Sequence, residues 1–161
     1  MLKLQDQTDI KFLARAVQLA RENVAIGGGP FGAVIVKDGE VVAESANQVI
    51  AIPDPTAHAE VQTIRLAAKN INSFNLSGTT LYTSCEPCPM CLGAIYWSRI
   101  SRVVFASDRH DADLAGFRDD ELYEAMTQAP EERKIHFEQV DVPEKGLEFT
   151  DWNNSHIKID Y

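Results

Sequence analysis

The chain has 161 residues, 45% of them apolar and 8% aromatic, enough to close one core and too apolar for a disordered chain. No apolar run reaches membrane-spanning length, and Met1–Asp6 lacks the apolar stretch of a secretory leader, so a cytoplasmic address is expected. The net charge of −9, with Lys and Arg scattered singly, argues against a partner that offers a phosphate backbone.

In chain order, the apolar spacing of Ile10, Leu13, Val17, Leu19, Ala20 and Val24 predicts a helix over 9–24, with Thr8 as its N-cap and Gly27-Gly28-Gly29-Pro30 as its stop. Residues 31–37 and 40–44 read as strands joined by Asp38-Gly39, the preferred sequence of a two-residue type I′ hairpin. A polar loop follows over 47–56. Pro55 is expected in the first turn of a helix running to about Lys69, which puts His58 and Glu60 in its opening turn. Residues 79–84 read as a buried strand. Cys88 and Cys91 open a helix that ends near Trp97, and their spacing of three puts both sulfurs on one face. Strands over 102–106 and 135–142, a short helix over 119–126 and a last helix within 146–159 complete the chain. The alternation predicts an α/β domain with a mixed, five-stranded sheet and helices on both faces.

The chemistry is concentrated in His58-Ala59-Glu60 and Pro87-Cys88-Pro89-Met90-Cys91. One imidazole and two thiolates form a three-ligand set suited to Zn²⁺, with a fourth position open to water. Glu60, two residues past the histidine, is placed to carry that water's proton. Positive helix N-termini favour the thiolate forms of Cys88 and Cys91. A thioredoxin-like redox pair would leave His58-Ala59-Glu60 without a role. An iron–sulfur run beginning at Cys85 would lack its fourth cysteine, because the chain has three. A closed structural zinc site would need Cys85 as fourth ligand; at a strand end, it is expected to be buried and unligated. His110, His136 and His156 have no ligand spacing and are expected at the surface.

The pattern His-x-Glu…Pro-Cys-x-x-Cys is a known signature of zinc nucleobase deaminases. The chain resembles the cytidine-deaminase-like superfamily, and within it the short bacterial guanine deaminases, over nearly its whole length. The resemblance rests on residues 28–39, 54–60 and 81–97, and later on Ala115-Gly116-Phe117 with Asp119, on Pro130-Glu131-Glu132-Arg133 and on the terminal Tyr161. Arg118 departs from it, where an acidic residue is more typical. The resemblance implies a three-layer α/β/α fold over residues 1–161, whose C-terminal segment (about 146–161) closes the active site. It implies one Zn²⁺ on His58, Cys88 and Cys91, with Glu60 as the catalytic acid and base. It also implies substrate contacts from Phe31, Asn47, Ala59, Trp97, Asp119 and Tyr161, and a homodimer that exchanges its C-terminal segment.

The function implied is hydrolytic deamination of guanine to xanthine and ammonia. Alternatives are a tRNA adenosine deaminase, a deaminase of cytosine or another small base, and a non-catalytic zinc-binding interaction module. The acidic charge counts against tRNA, and an intact Glu60 counts against the module.

Overall fold

A computed structural model describes the backbone of residues 4–161 and side chains from residue 7 onward; Met1–Lys3, read above for a leader, lie outside the described residues. The chain forms two compact units, one ending at Asp119 and one spanning Asp120–Tyr161.

The first unit is built on a four-stranded sheet. Helix α1 (Leu4–Ala25) precedes the hairpin β1 (Gly32–Lys37) and β2 (Glu40–Ala46). Then come α2 (Ala59–Ile71), β3 (Thr79–Cys85), α3 (Pro89–Trp97), β4 (Arg102–Ser107) and α4 (Arg109–Leu114). Strand order is β2-β1-β3-β4, with β1 antiparallel to β2 and β3 and with β3 parallel to β4. The parallel pair is linked through α3, as a parallel connection requires. Asp38 and Gly39 have φ of 50° and 83°, so the two-residue hairpin takes the left-handed turn its sequence predicts.

Successive strand residues point to opposite faces, and both faces are covered. Val34, Val36 and Tyr82 meet Phe12 and Ala16 of α1. Ala33, Ile35 and Leu81 meet Ala59 and Ala67 of α2 and Ile95 of α3. This makes three layers, helix on sheet on helix. Gly32 permits the close approach of α1, because a Cβ there would overlap the Ala16 carbonyl. On the α1 side, Asp9 accepts the Tyr82 hydroxyl (2.8 Å) and both arms of Arg102 (2.7 and 2.6 Å), pinning α1 to β3 and β4.

The second unit comprises α5 (Asp120–Thr127), a 3₁₀ turn (Pro130–Glu132) and α6 (Leu147–Asn154). Arg133 donates to the Ala125 carbonyl (3.0 Å) and lies over the Phe137 ring. Trp152 packs edge-on to Tyr161 with centroids 6.4 Å apart. No described helix is long and apolar enough to cross a membrane.

The structure corrects the expected elements in four places. Residues 135–142 do not form the fifth strand, so the described sheet has four. Ile135 and Phe137 share one parity and Val140 and Val142 the other, so the segment has no single apolar face to lay on a core. The first helix begins at Leu4, which puts the expected cap Thr8 inside it. Pro55 is not in the first turn of α2. It lies in the turn before it, where Asp54 accepts the Thr56 N–H (2.8 Å) and hydroxyl (2.7 Å). Helix α4 was not expected at all.

Candidate metal centre and adjoining cavity

The two motifs meet because two helices start at one end of the sheet. His58 is the N-cap of α2 and Cys88 the N-cap of α3, both extended, and neither side chain makes a capping hydrogen bond. Positions usually filled by Ser, Asp or Asn to satisfy helix amides are given instead to metal donors. Pro89 occupies the first position of α3, where its missing N–H costs nothing, and Cys91 is two residues further on. Cys88 and Cys91 thus lie on one helical turn, facing His58.

His58 Nδ1 lies 3.6 Å from Cys88 Sγ and 3.5 Å from Cys91 Sγ, and the three donor atoms all lie within 4.8 Å of one another. Zn–S of about 2.3 Å and Zn–N of about 2.05 Å, set at the tetrahedral angle, put N and S about 3.6 Å apart. The donors therefore already have the spacing of a tetrahedral zinc site, and their N/S chemistry suits the ion. Cys85 is not among them. Its buried thiol lies 3.5 Å from the Asp108 carbonyl, and burial pushes it up to about 11.

The electrostatics fit a site made for a cation. The hydrogen bond from Cys91, and after it the contact with His58, brings Cys88 down to about 4. The same hydrogen bond with Cys88, together with burial, pushes the Cys91 thiol up. His58 is raised chiefly by its contact with Cys88, while burial opposes that shift. Thiols ligate a divalent ion as thiolates, so both cysteines would bind it deprotonated.

Glu60 stands in the first turn of α2 and is 4% exposed. Its Oε1 accepts the hydroxyl of Thr83 in β3 (3.0 Å), and its Oε2 lies 3.4 Å from Cys91 Sγ. Burial raises its pKa, with the bonds from Thr83 and Cys91 acting in the opposite direction. A buried carboxyl held at one oxygen beside a metal site is suited to taking up a proton and returning it.

His58, Glu60 and Cys88 form one side of a cavity of about 400 Å³. Phe31, Asn47 and Asp119 also line it. The Phe31 ring meets Phe117 edge-on with centroids 4.9 Å apart. Asn47 is buried, and its Oδ1 accepts the Val49 N–H (3.1 Å). Asp119, not Asp120, lines the cavity, and its charge reaches His58. The departure at Arg118 is harmless to it, since that guanidinium pairs with Asp113 (3.2 Å).

Ala59 is fully buried at the start of α2 behind this wall. Trp97 ends α3 with 69% of its surface exposed and is not on the cavity wall. Tyr161 belongs to the second unit, against Trp152. His110, His136 and His156 are exposed.

Sequence reasoning missed the part of the wall supplied by α4. Ala112 and Arg109 line the cavity, and the positive φ of Gly116 (92°) turns the chain so that Phe117 reaches Phe31. The signal was present. Asp108 caps the backbone of His110 and Asp111, and the Asp111 carboxylate returns a bond to the Asp108 N–H. Asp-x-x-Asp is a capping-box pattern, with Asp108 in place of the usual Ser or Thr and Asp111 in place of the usual Glu or Gln.

Residues 6–107 match the cytidine and deoxycytidylate deaminase zinc-binding region. The chain is 52% identical over 151 residues to a guanine deaminase of Bacillus subtilis, covering 93% of this chain and 97% of that protein. The crystal structure of a guanine deaminase from that organism superposes with a TM-score of 0.92 over 94% of this chain and 97% of the other, again at 52% identity. A tRNA-specific adenosine deaminase of Haemophilus influenzae is 42% identical over 117 residues, 72% of this chain and 68% of its own. A guanine deaminase structure from Nitrosomonas europaea matches with a TM-score of 0.65 at 32% identity, over 68% of this chain and 64% of that one. With its three donors at zinc spacing and a buried carboxyl beside them, the chain belongs to the cytidine and deoxycytidylate deaminase zinc-binding family.

Proposed function

We propose that the chain hydrolyses guanine to xanthine and ammonia. The observation that carries the choice of substrate is Asp119 on the wall of the cavity that also holds Glu60. Guanine presents N1–H and a C2 amino group as adjacent donors, which one carboxylate accepts; adenine has no N1–H. A site built around such a pair rejects bases that leave it unsatisfied. The guanine deaminase relative also matches 93% of the chain, against 72% for the tRNA deaminase, and the net charge of −9 favours a small base over a polyanion.

His58, Cys88 and Cys91 hold the zinc ion. When bound, zinc lowers the pKa of a coordinated water from 15.7 to about 7, giving a nucleophile at neutral pH. Glu60 does the proton work. With Oε1 held by Thr83, Oε2 takes the proton of the attacking water and passes it to N3, the unprotonated ring nitrogen beside C2. The same oxygen then takes the second proton, from the hydroxyl now on C2, and delivers it to the departing amine, which leaves as ammonia as the C2 carbonyl of xanthine forms. Asn47, whose Oδ1 is taken by Val49, presents its amide N–H groups to the acceptor edge of the purine. Phe31 packs on the base, and Ala59 offers a backbone N–H from the first turn of α2, where helix amides lack partners.

Residues 1–161 work as one deaminase domain in a homodimer, with the segment over about 146–161 closing the site and Trp97 and Tyr161 acting there. Exposed Leu92, Tyr96 and Trp97 on α3 and exposed Phe149, Ile157 and Ile159 near the C-terminus support such an assembly. Light scattering that gives a monomer at micromolar concentration sinks the dimer. A cytoplasmic setting fits cysteines that must stay reduced to bind metal.

The decisive experiment measures ammonia release by zinc-loaded protein from guanine, adenine, cytosine and deaminase-substrate tRNA in parallel. Guanine-selective turnover is expected. Turnover of tRNA alone overturns the substrate, and zinc binding without turnover of any base overturns the enzyme.

A further inference from the structure

We infer that Asn23, near the end of α1, is a positioning residue for purine binding: its amide ties the glycine loop to Asn47 and so fixes the cavity wall on which the base docks. The inference rests on the reading of Asn47 as a purine ligand. Asn23 is 9% exposed, and its side chain spans two segments that are distant in sequence. Its Nδ2 donates to the Gly29 carbonyl (2.8 Å) and to the Asn47 carbonyl (2.8 Å). An amide nitrogen has two protons, and both are used.

The surrounding contacts make this clamp specific. A Cβ on Gly28 would overlap the Asn23 amide, so the loop passes directly over it. A Cβ on Gly29 would come within 3.2 Å of Asn47 Cγ and Oδ1. Asn47 is then held at every polar atom but one. Its N–H donates to the Phe31 carbonyl (2.9 Å), its carbonyl accepts from Asn23, and its Oδ1 accepts from Val49. Among the described residues, that leaves Nδ2 to face a ligand. Gly28, Gly29, Phe31 and Asn47 all line the cavity, so Asn23 controls one wall without touching a substrate. Among the described residues, both protons of the Asn23 amide go to these two carbonyls and neither to Glu60 or to the metal donors, which are carried by α2 and α3.

The test uses the full-length zinc enzyme with Asn23→Ala, Gly28→Ala and the double variant. Removing the clamp, or forcing it aside with a methyl group, is expected to raise KM for guanine by about tenfold, the effect of one or two lost hydrogen bonds. The value of kcat and its pH profile should stay within about twofold, since the reacting groups are untouched. The double variant should be no worse than either single one, because the Asn23→Ala change makes room for the Gly28 methyl.

Hydrogen exchange gives a readout that needs no substrate: the Asn47 and Phe31 amides should exchange faster in Asn23→Ala, with those of β3 unchanged. Unaltered KM in both single variants overturns the proposal, as does a fall in kcat at constant KM or an additive double variant. Should Asn23→Ala not fold, KM of Gly28→Ala decides. A wild-type enzyme inactive on guanine refutes the substrate reading instead. The clamp is then judged by the exchange rates and by KM for whichever base is hydrolysed.

Discussion

The two sides of the cavity are built differently. The side proposed to react, His58, Glu60 and Cys88 with Cys91 buried beside them, hangs on two helix starts and is backed by Thr83 in an interior strand. The side proposed to recognise the base, Phe31, Asn47, Phe117 and Asp119, is carried by loops, held by one asparagine clamp and one pair of aromatic rings. Chemistry common to a whole family sits on the rigid elements, while the choice of base sits where the chain can vary without disturbing the sheet. Substitutions on the first side should therefore change kcat, and substitutions on the second should change KM and selectivity.

The largest effect is expected from Glu60→Gln. Glutamine keeps the size of the side chain and an oxygen for the Thr83 hydroxyl, but it cannot carry a proton. A loss in kcat of at least about 10²–10⁴-fold is expected, with zinc content by mass spectrometry and melting temperature close to wild type. A zinc-loaded variant that still turns over guanine would break the division, because the proton would then travel by another route.

Asp119→Asn comes next and tests the other side. The amide keeps one acceptor but introduces donors opposite the donors of guanine, so KM should rise by roughly 10- to 100-fold. Selectivity for guanine over adenine should fall in steady-state assays. An Asp119→Asn enzyme with normal KM and low kcat would move Asp119 to the reacting side.

Phe117→Ala should have a milder effect. It removes an edge-on contact with Phe31 of a kind that contributes about 0.5–1.5 kcal/mol beyond its buried area, so KM should rise several-fold at unchanged kcat. Unchanged KM would mean that Phe31 holds its place without its partner.

The reacting side was legible in the sequence because its ligands are few, chemically distinctive and locally spaced. His58 and Glu60 share one turn, Cys88 and Cys91 another, and a proline marks the start of α3. The two inner strands were legible for a related reason: Ala33–Val36 and Leu81–Ser84 are buried on both faces, and the first reads as a continuous apolar stretch. The recognising side depends on tertiary closure. Nothing local says that Asn23 reaches Gly29 and Asn47, 6 and 24 residues away, or that Phe117 turns back onto Phe31. The stretch over 135–142 misled for the opposite reason. Its β-rich composition suggested a strand, while its broken alternation denied it one buried face.

The smallest effect on activity is expected on the α1 face of the sheet, away from both sides of the cavity. Asp9 takes both arms of Arg102 and the Tyr82 hydroxyl, and the bond from Arg102 holds its carboxyl below the usual 3.8. Arg102 is partly exposed, so solvent weakens the pair, and about 1 kcal/mol is a reasonable size for its loss. Asp9→Asn should then lower the melting temperature by roughly 2–4 °C at neutral pH, with kcat and KM for guanine unchanged. The sign of the pH dependence follows from the depressed pKa. The ionised pair stabilises the fold fully above the unfolded value of 3.8 and is lost as pH falls through the lower folded value. Melting curves from pH 6 to pH 3 should therefore converge for the wild type and Asp9→Asn at the acid end. A gap of constant size across that range would show that Asp9 contributes through shape and neutral hydrogen bonding, with its charge of no consequence to the fold.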